Sequence, residues 1–348
     1  MKIQLLPYSI PFSDPWHTAR GVLHSRNGWL VEICTAEGMT GWGDCAPLPW
    51  MGLEKVSAAE SDLQRLQRRL SGLDPQQALG QLQSIEEMSS AARFAFETAL
   101  LDLLSQQQSL PLSRLLNPLA ASMVEVNAAV GAITQLSDIQ IMQAVDGGMK
   151  VLKLKAGVAG VEEEISRLHQ LAVQLPEGAR LRIDANQAWT MGDALYFFQE
   201  SEKLPIESVE EPLREPDIRA WQSLAERTSI PLAADESLLT TEIEALLVSG
   251  CISRVILKPT MLGGLRRCMD LHEKAAAAGV DSVVTTTLES AVGVWACVHL
   301  AASVDTRQRF AHGLATSSWF SENIGKPPEI EGGGILLPRN SHALIQQP

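Results

Sequence analysis

The chain has 348 residues and a net charge of −13, with 45% hydrophobic and 20% charged residues. This length can bury the core of one large barrel together with a smaller domain, and the composition is that of an ordinary folded protein. The negative charge disfavours nucleic acid and anionic membrane surfaces as partners, since both require clustered Lys and Arg.

The cysteines and the N-terminus indicate the compartment. Five cysteines are scattered along the chain without a CxxC spacing, which is typical of free thiols in a reducing environment and not of a disulfide framework or a zinc site. The N-terminal stretch MKIQLLPYSIPF is interrupted by Pro7 and Pro11, which indicates a strand and not a signal peptide. No apolar run approaches the roughly 20 residues that span a bilayer. We therefore expect a soluble, cytoplasmic protein.

Residues 1–120 predict a small α+β domain. The stretches IQLLPYSIPF, GWLVEICTAEG and MTGWGDCAP are joined by Gly and Pro turns and predict an antiparallel meander. Residues 55–116 then have a helical pattern, in which SAARFAFETALLDLLSQQ carries apolar residues at three- and four-residue spacing. We expect the C-terminal tail, residues 317–348, to pack back on this domain and complete it.

From Val126 the pattern alternates between strands and helices. Helical stretches such as VEEEISRLHQLAVQL, MGDALYFFQESEK and LRRCMDLHEKAAAAG separate eight predicted strands, namely VNAAVG, MKVLKLKAG, LRIDAN, IESVEEP, PLAADES, RVILKPT, SVVTTTLE and RFAHGLAT. This alternation predicts a (β/α)8 barrel of the TIM type over residues 121–316. The alternative, a doubly wound open sheet, is disfavoured because no Gly-rich phosphate fingerprint follows the first strand.

Charged residues stand at the ends of successive predicted barrel strands. Lys153 and Lys155 end the run VLKLK, and the next four strands end in Asp184, Glu210, Asp235 and Lys258, at steps of 23 to 29 residues. One strand-plus-helix unit has about this length, so each charge occupies the same place in its unit. Because the C-terminal ends of barrel strands surround one pocket, these side chains are predicted to converge on one site.

The spacing of these residues predicts their orientation. Lys153 and Lys155 are two residues apart on a strand and therefore share a face, directed into the barrel, as do Arg182, Asp184 and Asn186. Buried charges of this kind must pair with each other or hold an ion.

Three of the strand-end residues are carboxylates. Asp184, Glu210 and Asp235 offer the oxygen ligands that Mg²⁺ prefers, with Mn²⁺ as an alternative, and the cation would keep positions open for a small-molecule carboxylate substrate. No His or Cys accompanies the three acids, which argues against zinc.

Such a site suits removal of a proton α to a carboxylate. A dication would stabilise the developing enediolate. The positive charges of the cation and of Lys153 favour the neutral amine of Lys155, which can then act as the base. Lys258, beyond the three carboxylates, would face the other side of the substrate, either as a second acid/base or as a positive charge that stabilises the intermediate.

The combination KLK, DAN, EEP, DES and KP resembles the muconate-lactonizing subgroup of the enolase superfamily over essentially the whole chain. The resemblance implies an enolase-like fold, a (β/α)8 barrel with an N-terminal α+β capping domain, and a Lys base acting with Mg²⁺. It implies Asp184, Glu210 and Asp235 as metal ligands, Lys155 as the base, Lys153 as a group that positions the carboxylate, and Lys258 on the opposite face. Glu211 and Glu236, next to two ligands, would support the site and hold a lysine.

Four stretches resemble the o-succinylbenzoate synthases of that subgroup: ARG at 19–21, GWGDCAPLP at 41–49, TTTLESAVG at 285–293 and AHGLAT at 311–316. This implies dehydration of 2-succinyl-6-hydroxy-2,4-cyclohexadiene-1-carboxylate to o-succinylbenzoate in menaquinone biosynthesis. The segment at 16–21 and the GDCAPLP loop would cover the pocket. The predicted substrate contacts are Thr286 and Thr287, the backbone near Gly313 and Leu314, and the side chains of Arg182 and Asn186.

Several alternatives stay open. Arg182 can instead be an interior ion-pair partner, Asn186 a supporting hydrogen bonder, and His312 a buried histidine with satisfied hydrogen bonds. The threonines of strand seven are favoured in any strand. An N-acylamino-acid racemase or a dipeptide epimerase would use the same two lysines, although AHGLAT lacks the acidic DxD pattern with which dipeptide epimerases bind the substrate amine. A barrel that binds a metal or a small acid without turnover is the alternative from another class.

Overall fold

The computed structural model describes residues 1–18, 21–52, 54–240 and 243–338. An antiparallel three-stranded sheet with four helices is followed by a ring of parallel strands surrounded by helices. The N-terminal part consists of β1 (Lys2–Thr18), β2 (Gly21–Cys34), β3 (Thr40–Cys45), α1 (Val56–Leu70), α2 (Pro75–Gln83), α3 (Ser90–Gln107) and α4 (Leu112–Leu116).

The predicted meander is confirmed, and its first strand is longer than predicted. The strand order is β1-β2-β3, so β1 lies at the edge of the sheet. An edge strand tolerates proline because the missing N–H can face away from the neighbouring strand. The pairing with β2 therefore includes Pro7 and Pro11 and continues to Thr18, after a shift of register between Pro11 and Trp16.

Helix α3 has the bounds predicted from the sequence and lies at the centre of the N-terminal domain. Fifteen of its residues are buried. It packs so closely on β3 that a Cβ atom on Gly43 would lie 1.8 Å from the carbonyl oxygen of Ala95, and one on Gly41 would lie 2.2 Å from that of Ala99. Its other neighbours include α1, α2 and two helices of the barrel, so the helix lies between the sheet and the barrel.

The second part of the chain contains the strands β4 to β13 and the helices α5 to α13. The strands are β4 (Met123–Val126), β5 (Ala128–Ala132), β6 (Val151–Lys155), β7 (Arg180–Asp184), β8 (Ile206–Glu210), β9 (Leu232–Ala234), β10 (Arg254–Leu257), β11 (Asp281–Val284), β12 (Ala311–His312) and β13 (Gly334–Leu336). The helices are α5 (Asp138–Asp146), α6 (Val161–Gln174), α7 (Met191–Ser201), α8 (Ile218–Ala225), α9 (Ser237–Thr240), α10 (Ile243–Val248), α11 (Pro259–Leu262), α12 (Leu265–Ala277) and α13 (Ala291–Val304).

The parallel strands form a closed ring. β5 to β11 pair in chain order as a seven-stranded parallel sheet. β12 pairs with β4, and a bridge between Thr285 and Gly313 connects the end of β11 to β12. Since β4 and β5 are two parts of one strand separated at Asn127, the eight predicted strands are all present. The predicted (β/α)8 barrel is confirmed, and the doubly wound open sheet is wrong.

The C-terminal tail contacts both parts of the chain. Phe320 pairs with Phe12 of β1, whereas β13 pairs antiparallel with β4 of the first barrel strand. Residues 339–348 of the predicted tail lie outside the described residues. The division into residues 1–120, 121–316 and 317–348 stays a prediction.

All five cysteines are free, and four of them are buried. Among the helices in the described part of the chain, none has the length and apolar character needed to cross a membrane.

Candidate active site

The six predicted charged side chains lie on five neighbouring strands at the C-terminal edge of the barrel. β6 ends at Lys155, β7 at Asp184 and β8 at Glu210, while Asp235 and Lys258 directly follow β9 and β10. The pairing register sets Lys155 beside Asp184 and Asp184 beside Glu210. The strand order β6-β7-β8-β9-β10 therefore places the three carboxylates between the two lysine-bearing strands.

The ammonium group of Lys153 joins two of the carboxylates. Its Nζ lies 2.8 Å from both Oε1 and Oε2 of Glu210 and 2.9 Å from Oδ2 of Asp184. Burial disfavours the charged ammonium, but Asp184 and Glu210 outweigh burial and raise the pKa of Lys153. Lys153 is therefore a fixed positive charge and not a candidate base.

Lys258 and Asp235 form a second buried ion pair, between Nζ and Oδ2. Burial again opposes the charge, but the carboxylates of Asp235 and Glu236 outweigh it and raise the pKa of Lys258. Lys258 also stands at the N-cap of α11, and its carbonyl oxygen accepts the amides of Met261 and Leu262, both at 2.9 Å. Its backbone is thus fixed by β10 on one side and by this short helix on the other.

Lys155 is exposed at the mouth of the barrel. Its Nζ donates to Oδ1 of Asn186 at 3.3 Å, and Nδ2 of Asn186 donates to Oε1 of Glu236 at 3.1 Å. The amide of Asn186 donates to Oδ1 of Asp184 at 3.2 Å. Asn186 has a φ of 43°, a left-handed conformation that Asn tolerates better than most residues. Asn186 acts here as a supporting hydrogen bonder, and its contact with substrate stays a prediction.

Glu211 holds the backbone around Asp235. Its Oε1 accepts the amides of Asp235 and Ser237, both at 2.7 Å, and its Oε2 accepts the Ser237 hydroxyl at 2.9 Å and Nε2 of Gln187 at 3.1 Å. The sequence predicted that Glu211 would hold a lysine; these contacts show that it organises the loop after β9 instead.

The chemistry of the donor set fits a hard divalent cation. Asp184, Glu210 and Asp235 are each 2–3% exposed and come from three adjacent strands, and carboxylate oxygens are the ligands that Mg²⁺ prefers. The residue types therefore fit the cation, but their arrangement is not that of a formed metal site: among the described residues, no three His, Cys, Asp or Glu side chains are arranged to hold a metal ion. The ammonium groups of Lys153 and Lys258 are paired with these three carboxylates.

Arg182 does not join the three carboxylates. Its Nε and Nη2 donate to the two oxygens of Glu207 at 2.9 and 3.2 Å, and its Nη1 donates to the carbonyl of Ala311 at 2.6 Å. Arg254 also pairs with Glu207, at 3.1 Å. The pairing of β7 with β8 skips Glu207, since Leu181 pairs with Ile206 and Arg182 with Ser208. The contacts support the interior ion pair and not the predicted substrate contact.

The predicted contacts on strands seven and eight are engaged with each other. The Thr286 hydroxyl donates to the carbonyl of Gly313 at 3.0 Å and lies 2.9 Å from the Thr316 hydroxyl. The amide of Gly313 donates to the backbone carbonyl of Val284, and the amide of Leu314 donates to the backbone carbonyl of His312. The Thr287 hydroxyl donates to Glu289. Roles for Thr286, Thr287, Gly313 and Leu314 in binding substrate stay predictions.

His312 is an interior histidine. Its Nδ1 accepts the amide of Val284 at 3.0 Å and its Nε2 lies 3.7 Å from Oδ2 of Asp305. Burial lowers the pKa of His312.

The capping domain supplies an apolar wall beside strand seven. Leu288 packs in a buried cluster with Ile10, Phe12 and Phe320, against which Trp16 also lies. The ring centroids of Phe12 and Phe320 are 5.0 Å apart. Of the predicted covering segment at 16–21, Ala19 and Arg20 lie outside the described residues.

The sequence did not indicate several buried carboxylates that hold the loops around this edge. Glu164 accepts the amides of Gly157, Val158 and Ala159 in the loop after β6, at 2.9 to 3.1 Å. Glu289 and Asp44 hold the loop after β11. The one signal that could have found Glu289 is its place directly after the strand-seven run TTTL, because Glu211 stands in the same way directly after β8.

The fold defines the class of protein: a (β/α)8 barrel with an N-terminal capping domain. The family described as "Enolase C-terminal domain-like" matches residues 138–341, and "Mandelate racemase / muconate lactonizing enzyme, N-terminal domain" matches residues 2–117. The chain therefore belongs to the mandelate racemase and muconate lactonizing enzyme branch of the enolase superfamily.

Relatives with different reactions resemble the chain to a similar degree. An o-succinylbenzoate synthase of Yersinia enterocolitica is 31% identical over 85% of this chain and 85% of its own length. A hydrophobic dipeptide epimerase of Enterococcus faecalis is 26% identical over 84% of each chain. The crystal structure of a dipeptide epimerase from E. faecalis, complexed with Mg and the dipeptide L-Leu-L-Tyr, has a TM-score of 0.86 at 23% identity and covers 97% of both chains. The comparisons therefore establish the superfamily but not the reaction.

Proposed function

We propose that the protein is a Mg²⁺-dependent o-succinylbenzoate synthase, which dehydrates 2-succinyl-6-hydroxy-2,4-cyclohexadiene-1-carboxylate. The observation that supports the chemistry is the placement of Asp184, Glu210 and Asp235 between the strands of Lys155 and Lys258. The synthase resemblance of the loops and the 31% identity to the Yersinia enzyme support the choice of substrate. The reaction would serve menaquinone biosynthesis.

The proposed chemistry is a β-elimination. Asp184, Glu210 and Asp235 would hold Mg²⁺, which would supply positive charge that stabilises a substrate carboxylate on loss of its α-proton. Mn²⁺ is the alternative ion for the same oxygen donors.

Two lysines would have different roles in the elimination. Lys155, exposed at the mouth of the barrel, would accept the α-proton through Nζ and return it to the departing hydroxyl group, so that the C–H and C–O bonds break, water leaves and the ring becomes aromatic. Lys258, whose ammonium is kept charged by Asp235, would stabilise the anionic intermediate from the opposite face.

Lys153 would keep the carboxylates in place. It contacts Asp184 and Glu210 from the layer of the barrel below them. A positive charge there would also favour binding of the substrate carboxylate.

The end of the pocket near strands seven and eight suits an uncharged or anionic group better than an amine. The segment AHGLAT carries no Asp or Glu. The hydroxyls of Thr286 and Thr287 and the backbone near Gly313 and Leu314 are the polar groups that we assign to the succinyl end. A dipeptide epimerase, which must bind the substrate amine, is disfavoured by the same observation.

N-acylamino-acid racemisation is the second candidate function. Lysines on both sides of the three carboxylates suit removal of a proton from one face of a substrate and its return to the other. An N-acyl substrate has no free amine, so the uncharged strand-eight segment is equally compatible with it. Membership of a superfamily of enzymes argues against the non-catalytic barrel.

A direct assay tests the proposal. The purified protein would be given Mg²⁺ and, in separate reactions, the cyclohexadiene acid, N-succinyl amino acids and dipeptides. We expect the ultraviolet signature of the aromatic product from the first acid, with a higher kcat/KM than for any other. Racemisation of N-succinyl amino acids without aromatic product would replace the proposal with the second candidate, and no turnover of any of these acids would overturn both.

A further inference from the structure

The turn that follows strand seven is held by both domains. It consists of Leu288, Glu289 and Ser290, which we call the 288–290 turn. Leu288 has a φ of 68°, a left-handed conformation that is rare and costly for a branched, bulky residue. Such a conformation persists only where surrounding contacts determine it, and each residue of the turn has contacts of this kind.

Glu289 connects the ends of strands six and seven. The residue is fully buried. Its Oε1 accepts the hydroxyls of Thr260 and Thr287, both at 2.5 Å, and its Oε2 accepts the amide of Thr287 at 2.6 Å. A buried carboxylate with three donors at these distances has a well-defined position, because breaking any of the bonds would leave a polar group unsatisfied.

Thr260 lies in the short helix that begins directly after Lys258. That helix, α11, runs Pro259–Leu262 and is closed by hydrogen bonds to the carbonyl of Lys258. Thr260 is 1% exposed, and its hydroxyl donates to Glu289. The orientation of the helix, and with it the backbone from which the Lys258 side chain extends, therefore depends on Glu289.

The capping domain fixes the other two residues of the 288–290 turn. Oδ2 of Asp44 accepts the amide of Ser290 at 2.7 Å and its hydroxyl at 2.8 Å. Arg26 donates to the carbonyl of Leu288 at 2.9 Å and also binds the carbonyls of Ala46 and Pro47 in the capping loop. Arg26 and Asp44 are each at most 1% exposed.

The approach of these groups is close enough to require a glycine. A Cβ atom on Gly293 would lie 2.5 Å from Cβ of Glu289 and 2.9 Å from Oδ2 of Asp44. The two carboxylates are thus packed on the same turn of α13, and neither can shift without moving the other's surroundings.

We propose that Glu289 is a positioning residue that sets Lys258 through Thr260, and that Asp44 and Arg26 couple its position to the capping domain. The proposal rests on the proposed function for the role of Lys258 as the charge opposite Lys155. Its structural part, the placement of Lys258, does not depend on the substrate.

A matched pair of substitutions at residue 260 tests the connection. Thr260→Val removes the hydroxyl and keeps the shape, whereas Thr260→Ser keeps the hydroxyl. We expect Thr260→Val to lower kcat about 10- to 100-fold with KM changed less than about twofold, because misplacement of a catalytic group by less than about 1 Å has effects of this size. Thr260→Ser is expected to restore kcat to within about threefold of the unsubstituted protein.

A second readout does not depend on any substrate. The rate at which an amine-specific reagent modifies Lys258, measured by mass spectrometry of the folded protein, reports how firmly its ion pair with Asp235 is held. We expect Thr260→Val to raise this rate about threefold or more and to leave that of Lys155 unchanged, since local opening is confined to the segment that lost its contact.

Two further variants complete the test. Asp44→Asn weakens the same turn from the capping domain and should also raise modification of Lys258. Asp102→Asn is the control, because Asp102 is a buried carboxylate that accepts a backbone amide, that of Trp42 at 3.1 Å, within the capping domain.

Unchanged kcat and unchanged Lys258 modification in folded Thr260→Val would overturn the positioning role. Altered modification in a protein that turns over none of the acids would overturn the proposed function and keep the placement of Lys258 by Glu289.

Discussion

The Oε1 atom of Glu211 accepts the backbone amide of Asp235 at 2.7 Å. Glu211, which follows β8, thereby sets the position of Asp235, a proposed metal ligand that follows β9. The same oxygen accepts the Ser237 amide, so the backbone on both sides of Glu236 is held at a single point. Residues that hydrogen-bond to metal ligands orient those ligands, and their loss weakens metal binding.

Replacing Glu211 tests this relationship. Glu211→Ala leaves buried amides without an acceptor, so we expect the free energy of unfolding to fall by about 3 kcal/mol and the affinity for Mg²⁺ to fall about 10- to 100-fold. Denaturant unfolding and titration calorimetry measure the two effects. Glu211→Gln, which keeps one acceptor oxygen, should show a smaller loss of both. Unchanged Mg²⁺ affinity in Glu211→Ala would contradict the role of Glu211 at the metal site.

Lys155 is the proposed base. Lys155→Ala should lower kcat for dehydration about 10²- to 10⁴-fold and abolish exchange of the substrate α-proton, while Mg²⁺ binding is retained. The exchange is followed by nuclear magnetic resonance in D₂O. Lys203→Ala, at an exposed lysine in the loop before β8, is the control and should behave as the unsubstituted protein. Exchange at the normal rate in Lys155→Ala would assign the base to another residue.

The pair of Arg182 and Glu207 should contribute to stability and not to substrate binding. Glu207→Gln leaves Arg182 and Arg254 facing each other with little compensation, so we expect the free energy of unfolding to fall by about 3 kcal/mol. KM should stay within about twofold, because the guanidinium of Arg182 is engaged away from the three carboxylates. A rise in KM of more than about tenfold without loss of stability would restore the predicted substrate contact.

The buried His299 should make stability depend on pH. Its Nδ1 accepts the amide of Ser113 at 3.3 Å, and burial lowers the pKa of His299 from 6.5 to about 4. Between pH 4 and pH 6.5, His299 binds a proton in the unfolded chain but not in the folded chain. The free energy of unfolding is therefore unaffected by His299 above about pH 6.5 and decreases as the pH falls toward 4, by up to about 3 kcal/mol.

The measurement is the difference in unfolding free energy between the unsubstituted protein and His299→Asn from pH 4 to pH 8. The difference is needed because Asp44 acts in the opposite direction: burial raises the pKa of Asp44 to about 6, which lowers stability as the pH rises through this range. Parallel pH profiles for the two proteins would contradict the assignment to His299.

Local patterns in the sequence were sufficient to predict the fold. The spacing of apolar residues predicted the bounds of α3 that the structure shows. The position of the charged residues at the strand ends predicted that their side chains share the C-terminal edge of the barrel. These predictions succeed because helix period, strand alternation and barrel geometry are repeated rules that each unit follows independently.

The contacts behind the site could not be predicted in this way. Asp44 and Ser290 are 246 positions apart, and nothing in either local sequence specifies the pair. Glu207, the partner of Arg182, is the residue that the pairing of β7 with β8 skips, and a bulge of this kind changes the direction of a side chain in a way that the local sequence does not specify. The left-handed Leu288 is likewise imposed by tertiary contacts, since its intrinsic preference is for other conformations.

Helix α3 belongs to the capping domain by position in the chain, but it also packs against the barrel helices α11 and α12. Its Glu97, 4% exposed, accepts the amide of Arg266 at 3.1 Å near the start of α12. A barrel expressed without the first 120 residues would lose this acceptor and expose the apolar surface that α3 covers. The two parts are therefore expected to unfold in a single cooperative transition, and exchange of capping domains between relatives would have to transfer the matching face of the barrel as well.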